Sequence, residues 1–463
     1  MLEHRTASNY QNDTLVLGFS DLNRLRSERP LVLAGGRGVY VTDERGRDYI
    51  EAVSSFYCVA LGYSDEELIE AATRQMRALP MYPSGAHRTV PVVLELADKL
   101  AAIAPIANAR IAFATTGSEA NDSLLKFMWY GNGHTGRKAR RKIISRRGSY
   151  HGGTALTTGL GGSAALQESF GIPTVDHVYV SQPDWPAAAR AGESGAGETE
   201  AAYTARLAAE LRSAIENAGP ETIGAMIAEP LSVSAGMLPP PDGYFPAIQA
   251  VLDEFGIQLF ADEVVTGFGR TGNMWGSQTF GIRPDCVTSA KGLSSAYQPI
   301  SALIMSPDFH DRMLEGSKVD GWLAHAGTYH AHPVAAAVAL KTIEIFEKRD
   351  IIGHVRRIMP TWHAALDALT DHPLVAGVRK CGLAGAVVLR KPGATGPAES
   401  GMKLGGLGRA AYEAAIERGV LVRPIGDSLV MAPPLIIREA EITELAHRLR
   451  RALDDVLDAE TRG

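Results

Sequence analysis

Lys291 stands between two apolar runs, Asp285-Cys-Val-Thr-Ser289 and Pro299-Ile-Ser-Ala-Leu-Ile-Met305, unlike a surface lysine on a polar helix face. Burial there disfavours the charged amine and lowers its pKa, leaving more of it able to condense with an aldehyde near neutral pH. Upstream, the apolar stretch Ile257-Gln-Leu-Phe-Ala261 ends in Asp262-Glu263-Val264. A carboxylate at such a strand end can keep a pyridine nitrogen protonated, which is what makes the ring of pyridoxal phosphate (PLP) electron-withdrawing. PLP is also the obvious aldehyde for Lys291. A lone lysine after a strand is usually structural or solvated. Paired with Asp262, it predicts covalent cofactor chemistry.

A phosphate needs its own seat. Arg110-Ile-Ala-Phe-Ala-Thr-Thr-Gly117 reads as a strand, and Ser118-Glu-Ala-Asn-Asp-Ser-Leu-Leu-Lys126 reads as a helix opening with a capping residue. Unpaired N–H groups and the positive end of the helix dipole attract anions at such a terminus. Gly117 lets a phosphate approach the backbone and the Ser118 hydroxyl adds a donor. Further on, Gly148-Ser-Tyr150-His151-Gly152-Gly153 sets an aromatic beside a histidine, so that Tyr150 can stack on a flat ring.

These residues need a scaffold that brings distant segments together. Apolar strand-like runs at 110–116, 142–145, 225–228, 257–261, 285–289 and 300–305 alternate with helix-periodic stretches such as 206–215 and 244–255. This alternation predicts an α/β fold with a mostly parallel sheet flanked by helices. Asp262 and Glu229 then fall at carboxyl ends of strands, where open α/β sheets bind ligands, and Lys291 falls just past another. From about Pro333 the pattern turns to long helices, 334–348 and 439–457, with short strands between. The expected division is a large domain over 71–333 and a smaller α+β domain built from 1–70 and 334–463. Gly192-Glu-Ser-Gly-Ala-Gly197 reads as an exposed loop.

Composition narrows the class. With 463 residues, 45% hydrophobic and 21% charged, the chain is an ordinary globular protein long enough for two domains. A net charge of -6 without like-charge runs argues against a nucleic-acid partner, and Arg137, Lys138, Arg140, Arg141 and Lys142 read as a solvated turn. Cys58, Cys286 and Cys381 are odd in number and far apart, suggesting neither disulfides nor a metal cluster. The N-terminus lacks the apolar core of a signal peptide, and no apolar run approaches the roughly 18 residues of a membrane span. The expectation is a cytoplasmic protein with no membrane partner, in which the sequons at Asn12 and Asn121 are accidental.

The set of motifs resembles the class III (omega) aminotransferases of the fold-type I PLP enzymes across nearly the whole chain. The resemblance rests on Asp43-Glu-Arg-Gly46, Thr115-Thr-Gly-Ser118-Glu-Ala-Asn-Asp122, Tyr150-His-Gly, Ala228-Glu229-Pro230, Ala261-Asp262-Glu263-Val264 and Gly267-Phe-Gly-Arg-Thr-Gly272. It continues through Lys291-Gly, Gly327-Thr328-Tyr-His-Ala-His-Pro333 and Val422-Arg423-Pro. It implies that Lys291 bonds the cofactor and shuttles the substrate proton while Asp262 holds the pyridinium. Val264 would pack under the ring and Tyr150 over it, Gly117 and Ser118 would take the phosphate, and His151 and Glu229 would lie in the surrounding shell. Thr328 would reach the phosphate of a neighbouring subunit, making a homodimer or homotetramer with shared active sites. Phe19 and Tyr57 fall in substrate-side segments.

Departures within the family point to the substrate. Relatives that use 2-oxoglutarate carry an arginine where this chain has Val430 and a compensating glutamate where it has Ser234. Either charge alone would be an uncompensated buried ion, so their joint absence is coherent. Arg423 aligns with the mobile arginine of pyruvate-dependent omega-aminotransferases, whose planar fork grips a carboxylate with two parallel bonds. Gly85 and Ala86 replace two phenylalanines of relatives that take benzylic amines and predict a wider pocket. Val233 and His330 replace a common glycine and a common serine. The implied activity is transfer of an amino group from a primary amine or omega-amino acid to pyruvate or a similar small 2-oxo acid, by ping-pong half-reactions. The alternatives are the diamino-acid aminotransferase of the biotin pathway, which shares the arginine, and a same-fold PLP mutase or racemase.

Two other signals carry less. Gly159-Leu-Gly161-Gly-Ser-Ala164 formally matches a dinucleotide fingerprint, but no long helix follows, so it reads as a turn. His325, His330 and His332 are close enough to suggest a metal, yet they lie in the Thr328 segment, so no metal is expected.

Overall fold

The computed structural model describes residues 14–173, 176–185, 198–394 and 406–462. Asn12 and the glycine-rich stretch 192–197 lie outside them. A seven-stranded sheet forms the centre, in the order Arg110–Ala114, Ser301–Met305, Cys286–Ser289, Gln258–Asp262, Ile223–Ala228, Lys142–Arg146, His177–Val180. All neighbours run parallel except Ser301–Met305, which is antiparallel to both strands beside it. Every residue of 223–228, 286–289 and 301–305 is buried, because helices cover both faces of the sheet. Such strands read as short apolar runs without alternation. The strand His177–Val180 was not foreseen, since its residues are mostly half-buried and carry no continuous apolar signal.

Helix Gly117–His134 starts from Thr116 rather than Ser118. The Thr116 hydroxyl accepts from the Glu119 N–H at 3.2 Å, and the Glu119 carboxylate accepts from the N–H groups of Thr115 and Thr116 at 2.9 and 3.1 Å. With the cap two residues earlier, Ser118 lies in the first turn and its hydroxyl is available to the site. Helices Glu200–Ala218 and Tyr244–Phe255 pack together beside the sheet, and Pro333–Lys348 packs against Glu66–Ala78 and Pro91–Ile103.

Two smaller sheets flank this unit. Strands Leu33–Arg37, Tyr40–Asp43 and Asp48–Glu51 form an antiparallel meander joined by Val420–Leu421, which pairs in parallel with Asp48–Glu51. Strands Val375–Cys381, Ala384–Leu389, Ser428–Met431 and Arg423–Ile425 form an antiparallel sheet. Sequence-distant ends of the chain thus share hydrogen bonds.

The basic turn is less solvated than expected. Arg140 donates to the carbonyls of Gly256 (2.8 Å) and Phe255 (3.2 Å), and Lys142 to that of Ala218 (2.7 Å). These cations satisfy carbonyls left open at two helix C-termini. Of the 159–164 glycine run, only Gly161, Gly162 and Ser163 separate the short helices Ala155–Leu160 and Ala164–Phe170. A Cβ at Gly162 would collide with the Arg146–Gly148 backbone, so close packing is the use of that glycine. Among the described residues no helix is long and apolar enough to cross a membrane.

Candidate active site

Parallel strands end on one edge of a sheet, and that edge gathers the chemistry. Asp262 is the last residue of its strand, Glu229 follows Ile223–Ala228, and Lys291 follows Cys286–Ser289 by two residues. Together with Gly117, Ser118, Tyr150, His151, Val264, Phe19 and Arg423 they line one cavity of about 430 Å³.

Asp262 is buried and held from several sides. Its Oδ2 accepts from the Asn121 side-chain amide at 3.0 Å and faces Nδ1 of His151 at 2.8 Å, while Oδ1 accepts from the Val264 N–H at 3.1 Å. Asn121 also donates to the His151 carbonyl at 2.7 Å, tying the two neighbours together. Asn121 was missed as a site residue, although it lies one turn into the phosphate-side helix, on the face that carries Gly117.

Lys291 opens a short 3₁₀ turn with φ of 45°, a left-handed conformation that aims its side chain back into the cavity. Desolvation pulls its amine down to about 8, against the opposing influence of Cys58 and Asp262. The Nζ lies 5.4 Å from the centre of the Tyr57 ring.

At the N-terminus of helix Gly117–His134 a Cβ on Gly117 would stand 3.0 Å from Cγ2 of Val264, so glycine keeps helix and strand loop in contact. The Ser118 hydroxyl accepts from the Gly153 N–H at 3.0 Å and retains its own proton for an anion. A Cβ on Gly152 would fall 2.7 Å from that hydroxyl. Helix-terminal donors, a hydroxyl, a restrained carboxylate and an amine with lowered pKa in one cavity fit the phosphate, pyridine nitrogen and aldehyde of PLP.

Glu229 is buried, and desolvation pushes its carboxyl upward against the charges of His151 and Arg146. Its Oε1 accepts from the Tyr150 N–H at 3.2 Å. Arg146 donates to the Glu229 carbonyl (2.6 Å) and to the Ser232 hydroxyl (3.0 Å), anchoring this loop from within the sheet. Arg146 was also missed: ending a strand beside Arg147, it looks like a surface residue in sequence.

On the substrate side the guanidinium of Arg423 sits among aromatic rings, 5.0 Å from Phe56, 5.5 Å from Tyr57 and 5.7 Å from Phe19. Phe56 is exposed and shares this seat. Val430 is fully buried in an apolar cluster with Val53, Tyr57, Val233 and Met237, and Ser234 lines the cavity.

Several expected residues lie elsewhere. Thr328 is exposed and outside the cavity of its own chain. Gly85 and Ala86 are likewise exposed and do not line it, so they do not widen it within one chain. His325 bonds Lys126 at 3.0 Å and stacks 5.6 Å from His330, and desolvation with the Lys126 charge brings it down to about 4. Among the described residues no group of three His, Cys, Asp or Glu is placed to hold a metal ion.

Comparison with known proteins gives the family. A family model for aminotransferase class-III matches residues 23–453. The chain is 40% identical over 428 residues to a probable gamma-aminobutyrate transaminase 3, mitochondrial, of Oryza sativa subsp. indica, covering 92% of this chain and 82% of that protein. It is 39% identical to a chloroplastic gamma-aminobutyrate transaminase 3 of Solanum lycopersicum, with 92% and 81% covered. Among solved structures, the omega transaminase of Pseudomonas jessenii in complex with PMP superposes with a TM-score of 0.92 at 38% identity, covering 97% of this chain and 98% of that one. A PMP-bound aminotransferase from Vibrio fluvialis gives a TM-score of 0.90 at 32% identity, with 96% and 97% covered.

Proposed function

The chain belongs to the class-III aminotransferase family, whose cofactor is PLP, and we propose that it moves an amino group from a primary amine or omega-amino acid to pyruvate or a similar small 2-oxo acid by ping-pong half-reactions. Bound PLP supplies the electron sink that makes the proton on the amine-bearing carbon removable. Lys291 takes that proton and returns it, a role suited to an amine held at about 8. Asp262 holds the pyridine nitrogen, with Asn121 and His151 fixing its orientation. Gly117 and Ser118 bind the phosphate, and Tyr150 and Val264 orient the ring.

Arg423 grips the acceptor carboxylate and withdraws when the donor lacks one, its aromatic seat supporting a cation without an obligate partner. The observation that carries the acceptor reading is Val430: the position where a second carboxylate would need a cation is aliphatic and fully buried. The gamma-aminobutyrate transaminases among the relatives support omega-amino acids as donors. The exposed position of Thr328, outside its own cavity, supports a homodimer or homotetramer that completes each phosphate site from the neighbouring subunit. A panel of amine donors, each assayed with pyruvate and with 2-oxoglutarate, tests the reading directly.

A further inference from the structure

Glu51 is a buried carboxylate that no step above uses. It closes the strand Asp48–Glu51 and is 4% exposed. Its Oε1 accepts from the Val53 N–H at 3.2 Å, and its Oε2 accepts from the Ser55 N–H and from the Tyr63 hydroxyl at 3.2 Å. Tyr63 and Ser55 also pair through their hydroxyls at 3.0 Å.

The segment so held has an unfavourable backbone. Ser54, Ser55 and Tyr57 have φ of 50°, 61° and 65°, left-handed values that residues with a Cβ avoid unless their surroundings impose them. The segment carries Phe56 and Tyr57, two of the rings around Arg423, and Tyr57 also lies against the Lys291 amine. Glu51 and Arg423 line a second cavity of about 970 Å³ together with Phe19 and Phe56.

We propose that Glu51 is a positioning residue whose ionised carboxylate holds residues 53–57 in the shape that seats Arg423, so that the grip on an acceptor carboxylate depends on Glu51 although Glu51 touches no substrate. This rests on the reading of Arg423 as the carboxylate-gripping group. Protonation turns one oxygen into a hydroxyl donor and makes the carboxyl a weaker acceptor for these three groups. Burial pushes the Glu51 carboxyl up to about 7, against the Ser55 and Val53 N–H groups, the Tyr63 hydroxyl and the Arg270 charge. The other groups facing it are Tyr57 and Cys58 from the same segment, with Arg423 in the shared cavity. The ionised form prevails above that value, so the grip weakens as pH falls through it.

Propionate, which has the carboxylate of an acceptor without its oxo group, is the probe. Its Kd on the PLP-loaded enzyme is measured by calorimetry at pH 8 and pH 6, alongside kcat and KM for pyruvate and for an aldehyde acceptor. The wild type should bind propionate several-fold more weakly at pH 6. Glu51→Gln should weaken binding about tenfold at pH 8, remove the pH dependence and raise KM for pyruvate but not for the aldehyde. Tyr63→Phe removes one donor to the charged form and should move the midpoint to higher pH. Arg423→Ala should lose propionate at both pH values. If Arg423→Ala binds as wild type, the reading of Arg423 falls and this proposal with it. If Arg423→Ala loses binding while Glu51→Gln keeps wild-type affinity and pH slope, the positioning role alone is overturned. Equal damage to both acceptors in Glu51→Gln would mean a merely structural role and would overturn it too. Should that variant not fold, an unmoved midpoint in Tyr63→Phe overturns the proposal.

Discussion

Arg423 and Val430 are register partners across the antiparallel pairing of Arg423–Ile425 with Ser428–Met431. Side chains directly opposite in such a pair share one side of the sheet. The residue paired with Arg423, the cation proposed to grip the acceptor carboxylate, is therefore a fully buried aliphatic. Pyruvate needs one grip, whereas 2-oxoglutarate brings a second carboxylate that would meet Val430 and Ser234. A buried charge without a partner costs several kcal/mol, and at about 1.4 kcal/mol per tenfold this predicts a preference for pyruvate of two or more orders of magnitude. The check is kcat/KM for both acceptors with one common amine; comparable values would sink the idea.

Replacing Arg423 separates the two half-reactions. Arg423→Ala removes a charge-assisted, two-pronged bond of about 1.5–3 kcal/mol, so kcat/KM for a carboxylate-bearing acceptor should fall roughly 10- to 100-fold. Amines without a carboxylate should be affected far less. Equal losses in the two half-reactions would assign Arg423 to structure.

Lys291 titrates low. At pH 8 about half of its amine is unprotonated, compared with about 0.3% for a lysine at its ordinary value. The neutral form is the nucleophile, so the rate at which the apoenzyme captures PLP should rise with pH through about 8 and level off above it. Stopped-flow absorbance measures this, and a rate still climbing steeply past pH 10 would show an unshifted lysine. Lys291→Ala should show no turnover and no PLP attached to protein after borohydride; attachment elsewhere would move the assignment.

Asp262 should matter through its charge and its orientation. Asp262→Asn should fold and retain cofactor yet lose at least about 10²-fold in turnover, the scale of deleting a key electrostatic group. Asn121→Ala removes one donor to that carboxylate and should cost about tenfold in kcat with little change in PLP content. Single-turnover rates for the two variants decide the point. A near wild-type Asp262→Asn would place the pyridine partner elsewhere.

Thr328 tests the assembly. If it serves the phosphate of a neighbouring subunit, a monomeric form should be inactive and poor in PLP, and Thr328→Ala should weaken PLP retention without changing the fold. Sedimentation combined with activity measurement would reveal a fully active monomer, which is the outcome that excludes shared sites.

The placement of Lys291 and Asp262 at strand ends was legible in the sequence. Lys291 and Asp262 each follow an apolar run of buried strand, and a parallel sheet covered on both faces leaves such runs uninterrupted and easy to find. Gly117 and Ser118 were legible because strand, glycine and helix start lie within a few residues of one another. Helix Tyr244–Phe255 kept its expected bounds for the same reason: periodicity and the closing Gly256 are local signals.

Contacts between sequence-distant segments were decided only by the folded chain. Asn121 meets Asp262 because a helix and a strand 141 positions apart converge at one sheet edge. Arg146 turns inward because the carbonyl of Glu229 lies on the neighbouring strand's exit. The seat of Arg423 unites residues 19, 56, 57 and 423, and its shape depends on left-handed residues that no propensity favours. Sequence pattern reports what a residue does within its own helix or strand. Pairing across the fold, and the strain it imposes on Ser54, Ser55 and Tyr57, arises from packing energies summed over the whole chain, which override local preference only once that packing exists.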